Sequence, residues 1–194
     1  DPLVDPLLIV RDSTGKILFK ADDFDRSLDA RAYFTPTADG LYLLEAKSAF
    51  KYDIGAYQLQ VSLAPADDVV DVRDGTATNL TLGLSQTGNI GIPGDKDVFK
   101  ISLQADRVYQ IQLDGLAGHA GTLADPYVRV FDANGHLLDF DNNSGAGNDA
   151  SLYFAPSASG VYYIEASSSQ DRGMGTYTLN VAQRDLPPDD AANN

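Results

Sequence analysis

Residues 125–138 read DPYVRVFDANGHLL. Val128 and Val130 fall on one side of an extended chain and Arg129 on the other, the period-two pattern of a strand. Asp132, Asn134 and Gly135 then supply turn chemistry. The same reading applies 120 residues earlier, where DPLLIVRDSTGKIL starts at Asp5. The offset persists. DARAYFTPTADGLYLLEAKS from Asp29 aligns with DASLYFAPSASGVYYIEASS from Asp149, and GAYQLQV from Gly55 with GTYTLNV from Gly175. No gap is needed from Asp5 to Val61, and about 21 of the 57 aligned positions are identical. Agreement of that order marks a duplicated structural unit.

The second copy has a front end that the first lacks. Residues 69–124 carry GDKDVFKISLQ, RVYQIQLDGL and the glycine-rich GHAGTLADP. Nothing before Asp5 matches them, so the first copy is expected to hold only the second half of its domain. A half sandwich exposes a sheet face and a strand edge, which invites pairing with another chain. A homodimer, or strand exchange through the incomplete repeat, is therefore expected.

Strands are predicted throughout. DVFKISL, YQIQL, YVRVFD, SLYFAP, VYYIEAS and TYTLNV are short, alternating and rich in β-branched and aromatic residues. Turn signals separate them at DANG, SGAGN, SASG and RGMG. No stretch holds a helical period over three turns. The pattern predicts an all-β chain of antiparallel β-sandwich or jelly-roll-like domains in tandem. The expected boundaries are a partial repeat over 1–65, a linker over 66–75, a complete domain over 76–183 and a polar linker or frayed tail over 184–194.

Composition narrows the function. Over 194 residues the formal net charge is −14, and the sequence pI is about 4.2. Such a field repels nucleic acid and anionic membrane surfaces and attracts divalent cations. It also serves solubility alone. No apolar run reaches the length of a transmembrane helix, so membrane insertion is not expected. There is no cysteine, which excludes thiol catalysis, zinc–thiolate sites and iron–sulfur clusters. With no starting methionine and no signal peptide, the chain reads as a piece of something longer, with neighbouring domains.

The ordered set GDxDxF, YxIxL, GTLxDPYxxxxDxxG, an Asp/Asn-rich loop, SxxxFxPxxSGxYYIEAxS and GTYTLxV resembles the bacterial pre-peptidase C-terminal domain. The resemblance covers about Gly94 to Val181 and, in partial form, Asp5 to Val61. It implies a secreted, non-catalytic β-sandwich of the bacterial cell surface or medium, of the kind appended to exported proteases or recurring in calcium-dependent adhesins. Some relatives bind calcium and some bind proteins such as collagen. Carried over residue by residue, it implies Asp95, Asp97 and the Asp141–Asn143 loop as cation ligands.

The residues themselves admit that reading. Calcium takes six to eight oxygen ligands, carboxylates and backbone carbonyls among them. Asp95 and Asp97 alternate, so both can project to one side. Asp141, Asn142 and Asn143 sit at a strand end in DFDNNSGAGND, glycines let the backbone curl, and Asp149 closes the loop. Asp and Asn are also ordinary turn residues, so a solvated hairpin loop stands beside the metal site. Asp125, Glu165, Asp22, Asp23 and Asp29 are further metal candidates. The first copy reads ADDFDRSLD at its loop, without glycines, which gives a site there a different shape. Asp5 and Asp125 precede prolines at strand starts, where local backbone capping is the simpler role. Glu45 and Glu165 are read as solvent-facing; if inward, each needs a cation or a partner.

Catalytic signatures are missing. His119 and His136 lie in turns without metal-type partners, and neither HExxH, GxSxG nor a phosphate loop occurs. Tryptophan is absent, which leaves paired acids without the aromatic platform a sugar needs. Tyr109, Tyr127 and Tyr163 have no tyrosine counterpart in the first copy and are candidates for contacting a protein or peptide. The expectation is a calcium-binding, non-catalytic structural spacer of a large secreted bacterial protein, with a protein- or peptide-binding module as the alternative.

Overall fold

The computed structural model describes residues 1–24 and 27–184, so the expected tail lies, from residue 185 on, outside the described residues. Two compact units divide the chain, Asp1–Ala64 and Pro65–Asn194.

The second unit is an antiparallel β-sandwich. Its strands are β4 (Thr78–Asn79), β5 (Ser85–Ile90), β6 (Lys96–Leu103), β7 (Val108–Asp114), β8 (Pro126–Phe131), β9 (Leu137–Asp141), β10 (Ala150–Phe154), β11 (Gly160–Ser168) and β12 (Gly175–Arg184). One sheet has the order β10-β7-β12-β5 and the other β4-β6-β11-β8-β9. All pairings are antiparallel except the short β4 against β6. Alternation builds the core. Tyr109, Ile111 and Leu113 from β7 and Tyr177, Leu179 and Val181 from β12 face Phe99, Ile101, Val128, Val130 and Ile164 from the other sheet. Each such side chain contributes about 1.5–3 kcal/mol by leaving water.

Strand β11 departs from simple alternation, because Tyr162 through Ser168 are all buried. Its outer face is covered too. Ala77, Val98, Phe131 and Tyr163 form a second small cluster, and the Arg73 guanidinium lies 4.1 Å from the Phe131 ring centre. The segment expected as a linker over 66–75 is thus built into the domain. Val69 is buried, and Val98 N donates to Val70 O at 3.1 Å.

The first unit holds β1 (Pro6–Arg11), β2 (Ile17–Ala21) and β3 (Leu43–Ser48) in the order β2-β1-β3. Its internal register repeats that of β9-β8-β11. Pro6 opposes Ser48 as Pro126 opposes Ser168, and Leu8 opposes Ala21 as Val128 opposes Asp141. A register irregularity falls at Val10/Arg11 and again at Val130/Phe131. The turns match as well. Asp12 accepts from Thr14 N and Lys16 N, and Asp132 from Asn134 N and His136 N. Gly15 and Gly135 then take φ of 88° and 82°, a region a side chain resists. Tyr42 and Tyr162 each donate to the carbonyl four residues back, at 2.7 Å.

The duplication stops where its partners stop. β10 pairs with β7, and β12 pairs with β5 and β7, all from the front end that only the second copy has. Residues 30–34 and 57–61 align with β10 and β12 yet form no strand. Tyr57 and Leu59 are exposed, while Tyr177 and Leu179 are fully buried. Leu179→Ala is therefore expected to destabilise the second unit by about 2–5 kcal/mol, and Leu59→Ala to change stability by less than about 0.5 kcal/mol, in urea unfolding of the full chain.

Candidate metal centre

Asp97 opens β6 with the parity of Phe99 and Ile101, so it points between the sheets and is fully buried. The Tyr177 hydroxyl, from the opposite sheet, donates to its Oδ2 at 2.5 Å. Oδ1 is buried without a partner among the described residues. Gly88, opposite Tyr177 on β5, makes room: a Cβ there would lie 2.2 Å from the Tyr177 hydroxyl and 2.9 Å from Asp97 Oδ2. Asp95 is nearly as buried and accepts from Gly91 N at 2.6 Å and Lys96 N at 3.0 Å.

Two more acids arrive from the segment before β4. Asp67 and Asp71 each bring a carboxylate oxygen to Asp95 and Asp97, and the four oxygens lie within 4.8 Å of one another. Asp67, Asp71 and Asp95 line a cleft of about 110 Å³ with Gly91 and Ile92. Desolvation pushes the Asp97 carboxyl up to about 8; the Tyr177 hydrogen bond opposes that, and the charges of Asp68, Asp95 and Asp67 reinforce it. Burial likewise raises Asp95 and Asp71, with Asp67 adding to both. A hard divalent cation fits this donor set: oxygen only, several charges, one buried oxygen unanswered.

The loop expected to complete the site lies elsewhere. Asp97, Ala166, Val128 and Asp141 occupy one row across β6, β11, β8 and β9, so three strand spacings, roughly 14 Å, separate the two acids. Asp141 is occupied locally, accepting from Ser144 N at 3.1 Å, Ser144 Oγ at 2.6 Å and Ser151 N at 2.8 Å. Asn142 and Asn143 are within hydrogen-bonding reach of Asp125 Oδ1, Pro126 O and Asn148 O, a network the amide nitrogens satisfy. Asp149 is fully buried and accepts from Gly115 N at 2.9 Å, holding the turn after β7. Desolvation, then the charge of Asp149, raises Asp114.

Glu165, expected on a solvated face, is 1% exposed. Arg73 and Arg129 both pair with it, because the covered outer face of β11 leaves no water to do so. Two guanidiniums already compensate the charge, so it needs no metal. Glu45, at the aligned place, pairs with Arg11 at 2.6 Å. Asp29 is exposed and, among the described residues, bonds only to Ser27. Asp22 and Asp23 group with Asp5, treated below. Of the tyrosines, Tyr109 is buried in the main core cluster, while Tyr163, in the smaller one, keeps 8% of its surface exposed. Tyr127 packs edge-on against Phe140, ring centres 5.9 Å apart.

Sequence reading missed Asp67, Asp71, Tyr177 and Gly88. The acidic run ADDVVDVRD was visible, but it was assigned to a linker, where charges are ordinarily solvated. Gly88→Ala is expected to cost about 1–3 kcal/mol by overpacking the Tyr177–Asp97 contact. Gly160→Ala, with open space around it, should change stability by less than about 0.5 kcal/mol in the same urea titration.

No curated protein matches the chain. Several solved structures are similar to it, among them the two that follow. The pre-peptidase C-terminal domain of a Bacillus anthracis collagenase is 19% identical, with a TM-score of 0.42 over 54% of this chain and 92% of that one. Aeromonas hydrophila PliG, a periplasmic inhibitor of g-type lysozyme, is 12% identical, with a TM-score of 0.40 over 54% of this chain and 94% of that one. The family model of the bacterial pre-peptidase C-terminal domain matches residues 95–168, from Asp95 to the end of β11. That match makes residues 95–168, within the second unit, similar to the bacterial pre-peptidase C-terminal domain.

Proposed function

We propose that the chain is a non-catalytic, calcium-stiffened β-sandwich module of a secreted bacterial protein, an appendage of an exported protease or a segment of an adhesin. The observation that carries this reading is Asp97: a fully buried carboxylate with one oxygen unpartnered, inside a group of four acids. Without a cation these charges repel, and desolvation raises the Asp97, Asp95 and Asp71 carboxyls. When bound, calcium supplies the positive charge. Asp67 and Asp71 then tie the entry segment to the start of β6. A spacer gains stiffness by this means in calcium-rich surroundings and loses it where calcium is scarce. Among the described residues no helix is long and apolar enough to cross a membrane.

A second reading is a protein- or peptide-binding module. It rests on an open groove of about 560 Å³ along β4, β6 and the start of β11, lined by Leu80, Leu82, Lys100, Val161 and Tyr163. The exposed apolar side chains of the first unit, Phe50, Ile54, Tyr57 and Leu59 among them, suit pairing with a partner or a second copy.

Thermal melts in EDTA, in millimolar calcium and in millimolar magnesium test the first reading. Calcium at a hundred times its dissociation constant adds about 2.7 kcal/mol, or roughly 5–10 °C in Tm for a domain of this size. Asp95→Asn with Asp97→Asn should remove that rise. A wild-type melt indifferent to calcium overturns the proposal.

A further inference from the structure

The first unit contains a second group of acids, on different elements and independent of the site proposed above. Asp5 precedes β1, and Asp22 and Asp23 follow β2, which is hydrogen-bonded to β1. One oxygen from each of the three lies within 4.8 Å of the others. Asp5 is 7% exposed, and its Oδ1 is buried with no hydrogen-bond partner among the described residues. Asp53 adds a further charge, and its Oδ2 is also buried and unpartnered. Desolvation, with Asp22, Asp23 and Asp53 around it, raises the Asp5 carboxyl.

The duplication provides an internal control. Asp5, Asp22 and Asp23 align with Asp125, Asn142 and Asn143. In the second unit the aligned side chains converge in the same way: Asn142 Nδ2 can donate to Asp125 Oδ1 at 3.1 Å and to Pro126 O at 3.3 Å, and Asn143 Nδ2 to Asn148 O at 3.3 Å. Amides carry donors, so that turn satisfies itself. Replacing both amides by carboxylates on the same backbone removes every one of those donors. Ionised carboxylates only accept, and three of them around one point repel. No lysine or arginine is paired with any of the three among the described residues. A cation from solution would supply the positive charge that no described residue brings to the group.

We propose that Asp5, Asp22 and Asp23 hold a calcium ion in the first unit, clamping the end of β2 to the start of β1. Oxygen-only ligands and surrounding loop give the irregular, adaptable shell calcium accepts, whereas magnesium demands a tight octahedron and keeps its waters. The second unit needs no ion at the aligned place.

Calorimetric titration of calcium into the metal-free full chain tests this, with Asp22→Asn/Asp23→Asn and Asp95→Asn/Asp97→Asn in parallel. The first double variant installs residues that the second unit already accommodates at the same positions, and circular dichroism checks that it folds. It is expected to bind one calcium ion fewer than wild type and to keep the binding that the second double variant loses. Unchanged stoichiometry and affinity in Asp22→Asn/Asp23→Asn overturns the inference. Loss confined to that variant, with Asp95→Asn/Asp97→Asn unaffected, upholds it and defeats the calcium site of the second unit instead. On the wild-type chain, manganese titrated in place of calcium should broaden the amide resonances of Asp5, Asp22 and Asp23 at stoichiometric addition. Sharp signals there would overturn the inference without any variant. Magnesium is expected to leave both readouts unchanged.

Discussion

Glu165 lies on a strand closed over on both faces, and Arg73 and Arg129 both reach its carboxylate. Much of the second unit follows from the need to answer that charge. A carboxylate taken out of water costs several kcal/mol unless its oxygens are met. Arg129 comes from the neighbouring strand β8, directly opposite in the register. Arg73 comes from the segment ahead of the domain and brings that segment across the sheet, stacking on Phe131. Once the segment is pinned there, Val70 bonds to Val98, and Asp67 and Asp71 are delivered beside Asp95 and Asp97. The ion pair at Glu165 and the acid group near Asp97 are thus two ends of one strap.

The two ends are balanced differently. Glu165 has two cations within the fold, whereas Asp97 has one neutral hydroxyl. A hydroxyl donates one bond and carries no charge, so the remaining Asp97 oxygen stays unmet, while Asp95 and Asp67 are met by uncharged backbone N–H groups that leave their charge unneutralised. An arginine at either place would have filled the site with protein. The cleft between Asp67, Asp71 and Asp95 is left open to solvent instead. A charge-deficient, solvent-reachable group of oxygens is where an exchangeable ion adds stability, while the Glu165 pair is indifferent to calcium.

The fold was legible because its signal is local. Period-two alternation and turn residues set the strands, and the 120-residue offset showed that one register is used twice. The site was half legible. GDKD announced Asp95 and Asp97, since two acids two apart on a strand share a face. Their partners were not, because nothing in the sequence says which distant segment a strand end meets. Asp141 shares a row with Asp97, but three strands away, and in-plane distance across a sheet has no local signature. Glu165 was misread for a related reason. Alternation assigns it outward, and only the strap carrying Arg73, 92 residues away in sequence, makes outward mean buried.

Comparing the two copies separates backbone from chemistry. Glu45 and Glu165 stand at the same register position, yet the first is met by Arg11 and the second by Arg73 and Arg129; Ile9 and Phe131 hold the alternate places. The need for a cation persisted while its source moved by two residues along the strand. At Asp5 and Asp125 the difference is one of kind: amide donors meet the group in one copy, and carboxylates replace them at the aligned positions in the other. Selection acting on a duplicated β-scaffold can shift charge in this way at little cost, because the hydrogen-bonded ladder is indifferent to which polar side chain sits at a strand end. The shared register fixes where three side chains converge. Whether they form a self-sufficient turn or a group that needs an ion depends on two Asn-to-Asp differences.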